Sequence, residues 1–235
     1  MTIELHTWNT PNGRKISVAL EEMGLPYKVI PINIGKGEQM APSFLAISPN
    51  NKIPAIVDPD GPDGKRVSIF ESGAILLYLG EKTGKFMPPA GDKMRGELLS
   101  WLMFVASGVG PYAGQSVHFR MYAPEKNEYA INRYAFEAQR HFGILDARLA
   151  KQKYMLGDTY TIVDMAVWGW ARGMPIVLGE AAWAKFPNLK RLVDEISARP
   201  AAQRAAGLKD KHKFKTEMDD EARRAMFRHM TEKVA

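Results

Sequence analysis

At 235 residues and 46% hydrophobic content, the chain has material for one large domain or two small ones with a substantial core. Its net charge of +6 is mild for that length, and the lack of any cysteine excludes disulfides, thiolate metal sites and a protein thiol nucleophile. No apolar run approaches a membrane span and Met1-Thr2-Ile3-Glu4 lacks a signal-peptide pattern, so a cytoplasmic protein with no membrane partner is expected.

Ile3 to Trp8 alternates and predicts a strand, and Thr10-Pro11-Asn12-Gly13 a turn. Arg14 to Met23 places Ile16, Val18, Ala19, Leu20 and Met23 on an amphipathic helix, which Gly24 and Pro26 end. Tyr27 to Ile32 is a second strand. Strand, helix and strand with short connections imply a right-handed crossover and a parallel pair. Ile34 to Ser48 is loop-rich, with a short helix around Pro42 to Ala46.

Asn51-Lys52-Ile53-Pro54-Ala55-Ile56-Val57 then reads as an apolar strand entered through an X-Pro bond, where a cis peptide is affordable. A cis bond at Ile53–Pro54 would turn the Lys52 and Ile53 backbone groups outward to pair with an extended peptide. Gly61, Pro62, Asp63 and Gly64 supply a turn into Ser68-Ile69-Phe70-Glu71-Ser72-Gly73, a second strand giving way to a helix over Gly73 to Lys82. N–H groups and a hydroxyl at that helix start are anion donors. Neighbouring sites for a peptide backbone and a carboxylate suit a small acidic peptide.

Gly84 to Asp92, with Pro88 and Pro89, marks a domain boundary, and everything beyond reads helical. Lys93 to Gly108 carries Leu98, Leu99, Trp101, Leu102, Phe104 and Val105, too apolar all round for a free surface helix. It belongs inside a domain or at a subunit interface. Gly108 to Pro111 interrupts it and Gly114-Gln115 loosens it again. Glu125 to Ala150 is a long helix with Tyr134, Phe142, Leu145 and Leu149 inward. Thr161-Ile162-Val163-Asp164 is a capping-box-like signal opening the apolar run Met165 to Trp170. Pro187 to Ala198 and a charged segment, Glu217 to Lys233, supply further helices.

Lys209, Lys211, Lys213 and Lys215 alternate with other residues near the C-terminus. They read as a solvated segment, with weak attraction of anionic substrates as the alternative. A nucleic-acid partner would need a concentrated basic stripe with stacking aromatics, so none is expected. The histidines, His6, His118, His141, His212 and His229, include no pair at zinc spacing, and no metal is expected. His6 lies in a buried strand and reads as a satisfied core residue.

Ser48-Pro49-Asn50-Asn51-Lys52-Ile53-Pro54-Ala55-Ile56 with Phe70-Glu71-Ser72-Gly73-Ala74-Ile75 resembles the glutathione site of cytosolic glutathione transferases. With Thr10-Pro11-Asn12-Gly13 upstream, the chain is most similar to the bacterial nu class, whose members reduce disulfides with glutathione. The resemblance implies an α/β thioredoxin-like domain at residues 1–84, with a mixed four-stranded sheet. An all-α domain at 92–235, including a charged C-terminal extension, completes the fold. It implies a homodimer with the active site beside the subunit interface.

Other classes activate the thiol with Tyr, Ser or Cys after the first strand; here Thr10-Pro11-Asn12 stands there. Neither a Thr hydroxyl nor an Asn amide is a base near neutral pH, yet either can hydrogen-bond a thiolate and lower its pKa, aided by the helix dipole. The residues themselves leave two readings, since Asn12 before Gly13-Arg14-Lys15 is also a good helix N-cap. The resemblance assigns Thr10 and Asn12 to the glutathione sulfur. By the same carry-over, Lys52 and the Ile53 backbone hold the cysteinyl part, Glu71 the γ-glutamyl ammonium, Ser72 its carboxylate and Gln39 the glycyl end. Arg133 is a candidate for a second glutathione's carboxylate, or a solvent-exposed helix arginine.

The implied activity is thiol:disulfide exchange using two glutathiones, or one glutathione disulfide, with some transferase or peroxidase side activity. Conjugation to an electrophile is an alternative, for which Trp101, Phe104, Tyr112 and Phe119 would line a pocket or equally form core. A non-catalytic glutathione-binding or assembly module is another.

Overall fold

The computed structural model describes residues 2–212, 214–215, 217–230 and 232. They form two compact units, one holding the residues up to Ile75 together with those from Arg204 onward, the other Leu76–Gln203.

The first unit begins with β1 (Ile3–Thr7), whose alternation buries Ile3, Leu5 and Thr7 and leaves Glu4 and His6 partly exposed. Helix α1 (Pro11–Met23) follows and ends at Gly24. Strand β2 (Tyr27–Pro31) runs parallel to β1, with Leu5 opposite Val29, as the strand–helix–strand order predicts. After the short α2 (Pro42–Leu45), β3 (Ala55–Asp58) returns antiparallel to β1, and β4 (Val67–Phe70) pairs antiparallel with β3. The sheet order is β2-β1-β3-β4. Strand β3 has a neighbour on each side and buries all four of its residues. Helix α3 (Ser72–Thr83) starts where β4 stops, with the Glu71 carbonyl accepting from the Ile75 N–H at 2.9 Å. The β-α-β then β-β-α order is the expected thioredoxin-like layer.

The second unit is helical: α4 (Met94–Phe104), α5 (Gly110–Val117), α6 (Glu128–Leu149), α7 (Ile162–Ala171), α8 (Met174–Leu178) and α9 (Pro187–Ala198). The expected break at Gly108 to Pro111 is a π-helical turn, Val105–Val109, through which the chain stays helical. Glycine at 108 admits His141, whose Nε2 would lie 2.5 Å from a Cβ there. Helix α4 buries Leu98 and Leu102 but leaves Leu99 and Met103 exposed, so it is not apolar-buried all round. Helix α6 begins at Glu128, because Asn127 caps it by accepting from the Ala130 N–H at 2.9 Å. Of its expected inward residues, Phe142, Leu145 and Leu149 are buried, while Tyr134 is half-buried and stacked on Phe119.

The capping box forms as predicted. The Asp164 carboxylate accepts from the Thr161 N–H and the Met155 N–H, each at 2.8 Å, which ties the preceding loop to the start of α7. Trp168, almost fully buried on that helix, donates to Ser197 Oγ on α9 at 3.0 Å.

Helix α10 (Pro200–Ala206) leads back to the first unit, followed by α11 (Leu208–Lys211) and α12 (Asp220–Met226). The helix expected over Glu217 to Lys233 is thus shorter. Asp219 starts it by capping the Ala222 N–H at 2.9 Å, and Lys233 lies outside the described residues. The extension, expected with the helical domain, clusters instead with the first unit, because α12 lies against the Ile34–Lys36 turn and Phe214 meets Trp8 edge-on, ring centroids 4.6 Å apart. Lys215 pairs with Asp219 at 2.8 Å and Glu221 at 3.1 Å; of the other alternating lysines, Lys213 lies outside the described residues. Among the described residues no helix is long and apolar enough to cross a membrane.

Candidate functional site

Thr10 starts α1. Its backbone is extended, φ −121°, and its Oγ1 accepts from the Gly13 N–H at 3.2 Å. The hydroxyl therefore uses a lone pair on the helix and keeps its hydrogen to donate to a ligand. Asn12 sits inside the first turn, so the cap is Thr10 and the N-cap reading of Asn12 is corrected. Pro11 at the first helical position lacks the N–H that would go unpaired there. Gly13 is required by close approach, since a Cβ would stand 2.4 Å from both Thr7 Oγ1 and the Trp8 carbonyl. Arg14 Nε donates to Asn9 Oδ1 at 2.8 Å across this turn.

The Ile53–Pro54 bond is cis. The Lys52 carbonyl accepts from Ser48 Oγ at 2.9 Å, which corrects the expectation that it faces outward. Among the described residues the Ile53 N–H and C=O have no protein partner and are available to an extended peptide. The Lys52 side chain is exposed.

Across from this loop, Glu71 is exposed and holds φ at +67°, a left-handed conformation uncommon for a side chain of its size. Asn50 Nδ2 donates to Glu71 Oε1 at 3.3 Å. Ser72 is buried at the first position of α3, and Lys15 Nζ donates to its Oγ at 3.4 Å. Lys15 is only 3% exposed, and burial pushes its ammonium down to about 7, partly opposed by the Glu71 carboxylate. Neither Lys15 nor Asn50 was singled out from the sequence. The available signal was Lys15 itself, a cation set three and four residues before the apolar Val18 and Ala19 on a buried helix face.

Gln39 is 7% exposed; its Nε2 donates to the Ala225 carbonyl of α12 at 3.2 Å. His6 stands beside Glu4 at 3.6 Å, but its buried Nε2 makes no hydrogen bond among the described residues, so it is not the satisfied core residue expected. Burial lowers its pKa. Thr10, Asn12, Gln39, Lys52, Ile53, Glu71 and Ser72 all belong to the first unit, whereas Arg133 lies on α6 of the second. Arg133 is exposed and donates to Glu137 Oε1 at 2.9 Å. In that unit Trp101, Phe104, Tyr112 and Phe119 are half-buried and gather around His141 and Tyr134. Among the described residues no group of His, Asp or Glu could hold a metal ion.

A thioredoxin-like sheet whose β3 is entered through a cis-proline, followed by a helical unit, defines the class. The glutathione S-transferase N-terminal domain matches residues 10–82 and the glutathione S-transferase C-terminal domain residues 105–200. The chain belongs to the glutathione S-transferase family. It is 44% identical over 211 residues to the disulfide-bond oxidoreductase YfcG of Escherichia coli, covering 86% of this chain and 94% of that one. A glutathione transferase family member from Pseudomonas fluorescens, solved with two glutathiones bound, superposes with a TM-score of 0.83. It is 41% identical, over 87% of this chain and 92% of that one. A glutathione transferase from Pseudomonas putida, solved with one glutathione disulfide per subunit, superposes with a TM-score of 0.81. It is 36% identical, over 87% of this chain and 90% of that one.

Proposed function

We propose that this protein is a glutathione-dependent disulfide reductase of the nu class. The observation that carries this is the Thr10 cap. A hydroxyl whose acceptor side is committed to α1 presents a donor hydrogen at the positive end of that helix, where a thiolate is stabilised. The chain has no cysteine, so both attacking sulfurs arrive on glutathione. One glutathione thiolate, held by Thr10 and Asn12, attacks a substrate disulfide; an S–S bond forms to glutathione and one substrate thiolate leaves. A second glutathione thiolate attacks the glutathione sulfur of that mixed disulfide, releasing the other substrate thiolate and forming glutathione disulfide. Two glutathiones are oxidised, one disulfide is reduced, and the protons of the two thiols end on the products.

The same geometry supports a frame for the peptide. The Ile53 N–H and C=O, without a partner among the described residues, pair with the cysteinyl backbone, with Lys52 beside them. Glu71 meets the γ-glutamyl ammonium, Ser72 at the start of α3 takes its carboxylate, and Gln39 faces the glycyl end. Arg133 serves the second glutathione's carboxylate in exchange for its exposed pairing with Glu137. The exposed Leu99 and Met103 of α4 are the surface for a homodimer, and the cytoplasm, where reduced glutathione prevails, is the compartment.

The half-buried aromatic cluster on α4 to α6 favours a second reading, conjugation of glutathione to an apolar electrophile. Glutathione-dependent reduction of a small disulfide, run beside a conjugation assay on wild type and Asn12→Ala, separates the two. Reductase turnover well above conjugation, lowered by Asn12→Ala, supports disulfide exchange. The reverse ranking makes the protein a conjugating transferase, and silence in both assays leaves a binding module.

A further inference from the structure

Lys15 is a cation in an unusual place. It is one of the buried residues of α1, 3% exposed, next in the chain to the fully buried Ile16. Among the described residues its hydrogen-bond partner is Ser72 Oγ, at 3.4 Å, and it makes no ion pair. A buried ammonium without a counter-ion destabilises a folded protein, and a methionine of similar length would fill the space without that cost. That partner is the first residue of α3, a helix of 12 residues whose N-terminal N–H groups already favour an anion.

We propose that Lys15 is a positioning residue for substrate binding: from beneath, it fixes the Ser72 hydroxyl and supplies the positive charge against which the γ-glutamyl α-carboxylate is held. This rests on the glutathione reading above. Donating to Ser72 Oγ, Lys15 uses a lone pair of that oxygen and directs the hydroxyl hydrogen outward, the orientation a carboxylate oxygen requires. The charge faces Glu71 on the β4–α3 connection, which is set to meet the ligand's ammonium, so the two protein charges complement the zwitterionic end of the γ-glutamyl group in reverse order. Burial holds Lys15 near 7 in the free protein, and an arriving carboxylate raises it, so the ligand restores a proton to this lysine.

The test compares S-methylglutathione, which has no titrating thiol, with the same peptide carrying an α-carboxamide in its γ-glutamyl residue. Calorimetry gives the affinity of wild type and Lys15→Met for each, and the protons taken up by wild type in buffers of different ionisation enthalpy. We expect Lys15→Met to weaken S-methylglutathione about tenfold or more and the carboxamide less than about twofold. Wild type should take up protons on binding S-methylglutathione at pH 8, and ligand-free Lys15→Met should melt no lower than wild type. Equal weakening of both peptides, or of neither, overturns the assignment. So does wild-type binding without proton uptake, a readout that stands if the variant does not fold. Wild type that binds neither peptide overturns the glutathione reading itself, and this inference with it.

Discussion

Asn50 Nδ2 donates to Glu71 Oε1 at 3.3 Å and so joins the loop before β3 to the turn between β4 and α3. The bond holds the Glu71 carboxylate over the start of α3 while its backbone keeps φ at +67°. Such a conformation costs a side-chain-bearing residue about 1 kcal/mol that glycine does not incur. Glu71→Gly should therefore be more stable than Glu71→Ala by about 1 kcal/mol in urea denaturation. Both variants should lose glutathione affinity about tenfold, because each lacks the carboxylate proposed to meet the ligand's ammonium. Equal stability of the two would show that the turn relaxes.

Thr10 caps α1 and, on the proposed function, also donates to the glutathione sulfur from the same oxygen. Thr10→Val removes both the cap on the Gly13 N–H and the donor to sulfur, so it should lose about 1 kcal/mol of stability and most disulfide reductase turnover. Thr10→Ser keeps both. Asn12 lies inside the first turn and is not the cap of α1, so Asn12→Ala should leave the Gly13 N–H bond in place while slowing turnover about tenfold. Parallel melting curves and turnover numbers separate the duties.

The charge on Lys15 makes stability depend on pH. Burial, opposed by Glu71, places its native pKa near 7, against about 10.4 in the unfolded chain. Between those values the unfolded chain holds a proton the native protein has lost, so unfolding free energy rises with pH from about 7 to about 10. The penalty is fully present below pH 7. Subtracting Lys15→Met from wild type isolates this slope, at most about 1.4 kcal/mol per pH unit. A flat difference would show that Lys15 titrates alike in both states.

Asp164 accepts from the Met155 and Thr161 N–H groups, both buried, and from Thr161 Oγ1 at 3.0 Å. Asp164→Ala strands these donors and should destabilise the helical unit by about 3 kcal/mol or more, measured by urea denaturation. Thr161→Ala, which removes the acceptor for the Val163 N–H but leaves the Met155 bond, should cost about 1 kcal/mol.

The sequence by itself determined the order of elements, the parallel β1–β2 pair, the β3–β4 hairpin and the change from sheet to helix. These rest on local signals: the alternation of Ile3 to Trp8, the turn at Gly61 to Gly64, the Thr161–Asp164 box and the Ile53–Pro54 pair are each read within a few residues of the structure they specify. Tertiary structure alone decided which oxygen caps α1: on paper Asn12 is the cap, and the way β1 delivers the chain gives that place to Thr10. It alone brought Lys15 to Ser72, 57 positions away, and Asn50 to Glu71, 21 positions away. It also returned the C-terminal extension to Trp8 and Gln39. Contacts of that kind are set by the packing of whole helices on the sheet, and periodicity within a window records which face a residue takes but not what that face will meet.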